Sequence, residues 1–240
     1  ELSRLIAGQI FLHACMAGMR MATPLLALQQ GFSAMAVGAL LALFALTQVF
    51  LALPAGRYAD RKGLKTPLAI SVAIAFTGAS LAAIWPIFPV LCLSALATGG
   101  ATGMAVIALQ RHVGRLANGP AQLKTAFSWL SIGPAISNFL GPVLAGLMID
   151  FAGPEPAHET GFRAAFLLMA LLPLCTLLSV RKVQEKVSAE VEITQAPKRV
   201  LDLLRQPLML RLLAVNWLLS SCWDVHTFVV PLLGHERGLS

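Results

Sequence analysis

The charged residues of this 240-residue chain gather into short clusters and leave long stretches with almost none. These stretches reach or approach the ~20 residues that a helix needs to cross ~30 Å of hydrocarbon. Seven are legible, at about 5–28, 33–55, 67–85, 87–110, 126–149, 162–180 and 208–233. Their apolar residues run continuously instead of alternating with period two, which favours helices over barrel strands. In lipid every backbone amide must be satisfied within the protein, and helices do this segment by segment. Composition agrees: 12% of residues are charged, about half the share usual in a soluble domain. One small water-soluble core cannot hide seven such runs. The expected fold is an all-α membrane protein.

The cations then set the topology. Arg4 precedes the first run. Arg57, Arg61, Lys62 and Lys65 follow the second. Arg111, Arg115 and Lys124 follow the fourth, and Arg181, Lys182, Lys186, Lys198, Arg199, Arg205 and Arg211 surround the sixth-to-seventh connection. The alternate connections carry only Arg163 and Arg237, and Arg20 lies inside the first run. Such alternation predicts a multi-pass protein with a cytoplasmic N-terminus. It also explains the net charge of +7 without nucleic acid, because the cations form no single face with interleaved aromatics. Cys15, Cys92, Cys175 and Cys222 all lie in apolar runs and form no CxxC pair, so no metal or redox site is expected. No nucleophile elbow, HExxH pair or Walker loop is present, which argues against an enzyme, and no cofactor is expected.

Sliding the chain by 207 positions lays Arg4 on Arg211, Gln9 on Asn216, Cys15 on Cys222, Pro24 on Pro231, Gly31 on Gly238 and Ser33 on Ser240. The seventh run therefore reads as a second copy of the first. The expected organisation is a six-helix bundle over 1–181, a cytoplasmic linker over 182–207, and the first helix of a second bundle over 208–240. Val200–Leu204 is a candidate interfacial helix within the linker. A chain that starts at Glu1 and stops at Ser240 is expected to be a piece of a longer one, of roughly 400 residues if the repeat completes.

The second connection reads Gly56-Arg-Tyr-Ala-Asp60-Arg61-Lys62-Gly63-Leu-Lys65. Gly56 and Gly63 are expected to permit a tight turn, and Asp60 to favour the positive end of the third helix. The segment resembles the signature loop between helices two and three of the major facilitator superfamily. That resemblance implies a bundle of the major facilitator type and a role in the cytoplasmic gate for Gly56, Asp60, Arg61, Gly63 and Lys65. A basic turn with no gating role is the plainer reading.

The fifth run holds Gly133-Pro134 and then Gly141-Pro142-Val-Leu-Ala145-Gly146. It resembles the Gly-Pro motif of the family's bacterial proton-driven exporters, although Ser137 stands where a glycine is usual. Gly141, Pro142 and Gly146 alternatively form a kinked packing face. The fourth run lacks the arginine that such exporters often carry. The resemblance implies proton-coupled efflux of a small solute from a bacterial inner membrane, by a protein monomeric at full length. Uptake of an organic anion and a transport-dead sensor are the alternatives.

Ionisable groups inside spans are costly and usually face a cavity or a partner. Gln9, His13 and Arg20 share one helical face, and Asn216 and Asp224 share the equivalent face of the second copy, with His226 nearby. Arg20 and Asp224 are three positions apart in repeat register and are expected to pair across the cavity. The plainer reading has Arg20 reaching to the outer surface. His13 either relays protons or is a buried histidine satisfied by a neighbour. Gln48, Thr98, Thr102 and Asn138 either line the cavity or hydrogen-bond between packed helices.

Overall fold

The computed structural model describes residues 1–117, 119–153, 158–185 and 206–237, and every regular element among them is a helix. In chain order these are α1 (Leu2–Gln29), α2 (Ala34–Lys62), α3 (Lys65–Ile84), α4 (Phe88–Leu116), α5 (Pro120–Leu130), α6 (Ile132–Phe151), α7 (Glu159–Val180) and α8 (Pro207–Glu236). Among the described residues six segments are long and apolar enough to cross a membrane: α1, α2, α3, α4, α5 with α6, and α7. The chain forms two compact units, Glu1–Lys186 and Val187–Ser240. In the second, α8 covers the seventh apolar run. The expected helix at Val200–Leu204 and the repeat positions Gly238 and Ser240 lie outside the described residues.

Helix ends differ from the apolar runs. α2 continues to Lys62 and α4 to Leu116, each nearly two turns beyond the last apolar stretch. Charge ends contact with hydrocarbon but does not end a helix, and arginine and lysine are good helix formers. The signature segment is therefore helical almost throughout. Only Gly63 and Leu64 separate α2 from α3. Gly63 makes the turn, at φ +76°, where a side chain is strained. The expectation that Gly56 also turns the chain is incorrect, because it sits inside α2.

The fifth span is broken. Pro134 has no N–H for the Leu130 carbonyl, and Leu130 is where α5 ends. The Ser131 hydroxyl instead donates to the Ser128 carbonyl at 2.7 Å.

Between helices in lipid there is little hydrophobic drive, so close backbone approach and hydroxyl bonds carry the packing. Gly99 in α4 meets the Phe44 backbone of α2, Gly161 in α7 meets Ile149 of α6, and Gly141 in α6 meets Ala14 and Gly18 of α1. At each, a Cβ would run into backbone atoms. Thr47 donates to the Leu96 carbonyl and Thr176 to the Gly8 carbonyl, both at 2.9 Å. Large apolar side chains such as Met35, Phe139, Phe151 and Leu178 point outward, the arrangement a bilayer rewards and water does not.

The end of the bundle away from the basic clusters is tied across its loops. Gln30 donates to the Pro86 carbonyl at 2.7 Å, and Phe32 stacks on Phe88 with centroids 4.3 Å apart. Arg163 donates to the Ile84 carbonyl at 3.0 Å and pairs with Glu159.

Candidate functional site

The basic end of the first unit is a network of charges and helix ends. Asp60 lies in the last turn of α2, not at the start of α3 as expected. A carboxylate at a helix C-terminus meets the wrong end of the dipole. The compensation comes from α4. The Arg111 Nε donates to the Asp60 carboxylate, its Nη2 donates to the Asp60 carbonyl at 2.9 Å, and Arg115 stands 3.9 Å from the carboxylate. One guanidinium thus serves both the acidic side chain and the negative end of α2. The Arg111 side chain is 14% exposed against 63% for Asp60. Gly63 makes the turn that follows, and Lys65 opens α3.

The N-terminus of α3 is served from elsewhere. Leu64 stands at its cap position, and no side chain there takes up the N–H groups. Glu185 takes up two of them, accepting from Leu64 and, at 2.9 Å, from Lys65. A carboxylate at this end of a helix is favoured by both the orphan donors and the dipole. Glu185 follows α7 in a segment held by further contacts: Val183 is buried, and the Gln184 N–H donates to the Glu1 carboxylate at 3.3 Å. Sequence reasoning missed Glu185 and assigned its segment to the linker. The available signal was negative: a helix start preceded by Gly-Leu lacks a local cap, so an acceptor must come from another element.

The second cluster lies along the seam between α1 and α6. Gln9 is buried at 2% exposure, with its side chain against Gly133. One turn further, Asn138 and Arg20 are near enough to act on His13, whose Nδ1 is buried without a hydrogen-bond partner among the described residues. The Ser137 hydroxyl shares its proton between the Gly133 carbonyl at 2.7 Å and the Ile10 carbonyl at 3.1 Å. The residue that departs from the usual glycine thus ties α6 to α1. Proline has no N–H for the carbonyl four residues back, which is that of Asn138 for Pro142 and that of Arg20 for Pro24. Backbone and side-chain polarity therefore coincide along this seam.

Other expected residues lie apart from it. Thr98 and Thr102 are buried, and their hydroxyls donate to the Ser94 and Thr98 carbonyls of their own helix at 2.8 Å. Gln48 lies against Gly103 of α4 and bonds weakly to its own helix, at 3.4 Å from the Phe44 carbonyl. Gly146 has no close neighbour beyond Met21. Asn216 and His226 are carried by α8. The side chain of Asp224, the expected partner of Arg20, lies outside the described residues. No group of three or more metal-ligating side chains occurs among the described residues.

Compared with known protein families, the chain matches the Major Facilitator Superfamily over residues 5–240. No curated protein matches it. The match runs through all six spanning segments and into α8, and with it the helical bundle and the Asp60 segment find one common explanation. The chain belongs to the Major Facilitator Superfamily and is a multi-pass membrane protein of that transport family.

Proposed function

We propose that the protein carries a small solute across a bacterial inner membrane by alternating access, as a proton-coupled exporter with its N-terminus in the cytoplasm. The observation that carries the coupling is His13 on the α1–α6 seam, its Nδ1 buried and Asn138 and Arg20 close enough to act on it. Imidazole is the side chain that changes charge between about pH 5 and 8, and within a span it is costly unless it serves a path or a partner. In this reading His13 is the proton acceptor. Gln9, Asn138 and Arg20 complete the polar line, and the Asp60–Arg111 pair closes the basic end. Uptake of an organic anion is the second reading, favoured by the guanidinium of Arg20 within a spanning segment.

Flux of a broad solute panel into and out of proteoliposomes, with and without an imposed pH gradient, tests this. The gradient should drive flux in the wild type, and His13→Gln should remove that dependence. Gradient-independent flux restricted to anions would favour the second reading, and no flux at all would favour a sensor.

The orientation has its own test. In a background free of the native cysteines, Trp85→Cys should react with a membrane-impermeant maleimide added to intact cells, and Gly114→Cys should react only after the membrane is opened. Both positions tolerate a probe, since Trp85 is exposed and a Cβ at Gly114 meets nothing within 4 Å. The reverse labelling pattern refutes a cytoplasmic N-terminus.

A further inference from the structure

α3 brings no charge of its own that favours its dipole. No acidic residue stands in its first turn and no basic residue in its last. Lys65 opens the helix with the unfavourable sign, and Pro67 has no N–H to offer a cap. Both ends are nonetheless served by charge, and both charges come from α7 or the segment just after it. At the basic end the Glu185 carboxylate accepts from the Leu64 and Lys65 N–H groups, the second at 2.9 Å. At the other end the Arg163 guanidinium donates to the carbonyls of Ile84 at 3.0 Å and Ala83 at 3.4 Å. A carboxylate at the N-terminus and a cation at the C-terminus are the favourable signs. α7 therefore runs antiparallel to α3 and spans it from end to end, over about 30 Å.

Each charge is itself held. Arg163 is fixed by Glu159, one turn earlier, at 2.9 Å from Nε and 2.8 Å from Nη2. Glu185 ends a segment in which Val183 is buried and donates its N–H to the Val180 carbonyl at 3.0 Å. The Gln184 N–H donates to the Glu1 carboxylate. Gly63 leaves the seat for Glu185, since a Cβ there would overlap the carboxylate. Gly63 thus serves twice, by its positive φ and by its missing side chain. One residue beyond Glu185 the first compact unit ends.

We propose that α7 is a strap on α3, with Arg163 and Glu185 bracketing the helix between opposite charges. Glu185 is the fastening at the basic end. It ties the start of the connection toward the second unit to the Gly63 turn, and not only to the end of α7. Movement of that connection is thereby passed to the turn, and loosening either side loosens the other. Arg163 and Glu185 are positioning residues in this device, and neither touches a solute.

Hydrogen exchange on the full chain in lipid nanodiscs tests the strap without a transport assay. The amides of residues 64–66 and 68 report the basic end of α3, those of 82–85 its other end, and those of 182–185 the segment after α7. The amides of α5 are the reference. Glu185→Gln keeps an acceptor but loses the charge. It should speed exchange about five-fold at 64–68 and at 182–185, and leave 82–85 unchanged. Arg163→Gln should act at 82–85 alone. Gly63→Ala fills the seat of the carboxylate and should also speed exchange at 182–185, far along the chain, where strain in the turn by itself would not reach. Loss confined to 64–68 in Glu185→Gln and Gly63→Ala, or wild-type exchange at 82–85 in Arg163→Gln, overturns the proposal. A variant that merely unfolds speeds exchange in α5 as well. Glu185→Gln and Gly63→Ala probe the same seat from its two sides, so one folded variant decides. Because no flux is measured, these outcomes are independent of whether the protein proves to be a proton-coupled exporter.

Discussion

Replacing Gly141 by valine is expected to destabilise the six-helix unit by about 3 kcal/mol, the upper end of the usual cost of overpacking. A Cβ at this position would overlap the Ala14 carbonyl oxygen, and it would lie 2.8 Å from the Gly18 amide nitrogen and 3.0 Å from the Ala17 Cβ. Two of these three atoms belong to the α1 backbone. They cannot rotate aside as a side chain can, so relief requires the helices to separate. Separation in turn breaks the Ser137 bond to Ile10 and parts His13 from Asn138. Gly146, five residues later in the same motif, is the matched control. The nearest atom to a Cβ there is the Met21 methyl at 3.7 Å, so Gly146→Ala should change stability by no more than about 0.5 kcal/mol. Unfolding midpoints in one detergent, with the fraction that remains monodisperse, measure both. Equal midpoints for the two variants would show that the close crossing of α1 and α6 does not hold the bundle.

Asp60→Asn is expected to slow transport about ten-fold, equivalent to ~1.4 kcal/mol in the limiting barrier, while changing stability by less than ~1 kcal/mol. The stability effect is small because the carboxylate is well exposed, and water replaces much of what is lost. The effect on transport is larger because Arg111 is nearly enclosed and holds the ends of α2 and α4 together. With the carboxylate neutralised, Arg111 loses its ion pair and keeps only neutral acceptors, the side-chain amide oxygen and the backbone carbonyl of residue 60. In the proposed alternating access, α2 and α4 move as one body, and without the ion pair they would part at their basic ends. Initial flux rates in proteoliposomes and unfolding midpoints together test this. The exchange Asp60→Arg with Arg111→Asp should recover part of the rate. A wild-type rate in Asp60→Asn, or no recovery in the exchange, removes the pair from the mechanism.

The spans were legible in the sequence because crossing hydrocarbon is a local requirement. About twenty residues must lack charge together, and the run at 33–55 shows this with no reference to the rest of the chain. The helix ends at Lys62 and Leu116 were not legible from hydropathy, which reports the solvent and not the hydrogen-bond ladder. The stripe of Gln9, His13 and Arg20 could be read from helical spacing. That His13 meets Asn138, 125 positions away, could not.

Sequence alone determined that this chain is a bundle of membrane-crossing helices, how many of them precede the long basic connection, and which segment marks its family. Those properties depend on the order of apolar and charged residues along the chain. Only the tertiary structure decided what Asp60 does at the wrong end of its helix, why a side chain at Gly141 would meet the α1 backbone where one at Gly146 would not, and that Glu185 caps α3. Each of these rests on a partner from a distant element, and helices that are equally apolar on their outer faces carry no local mark of which neighbour they will meet.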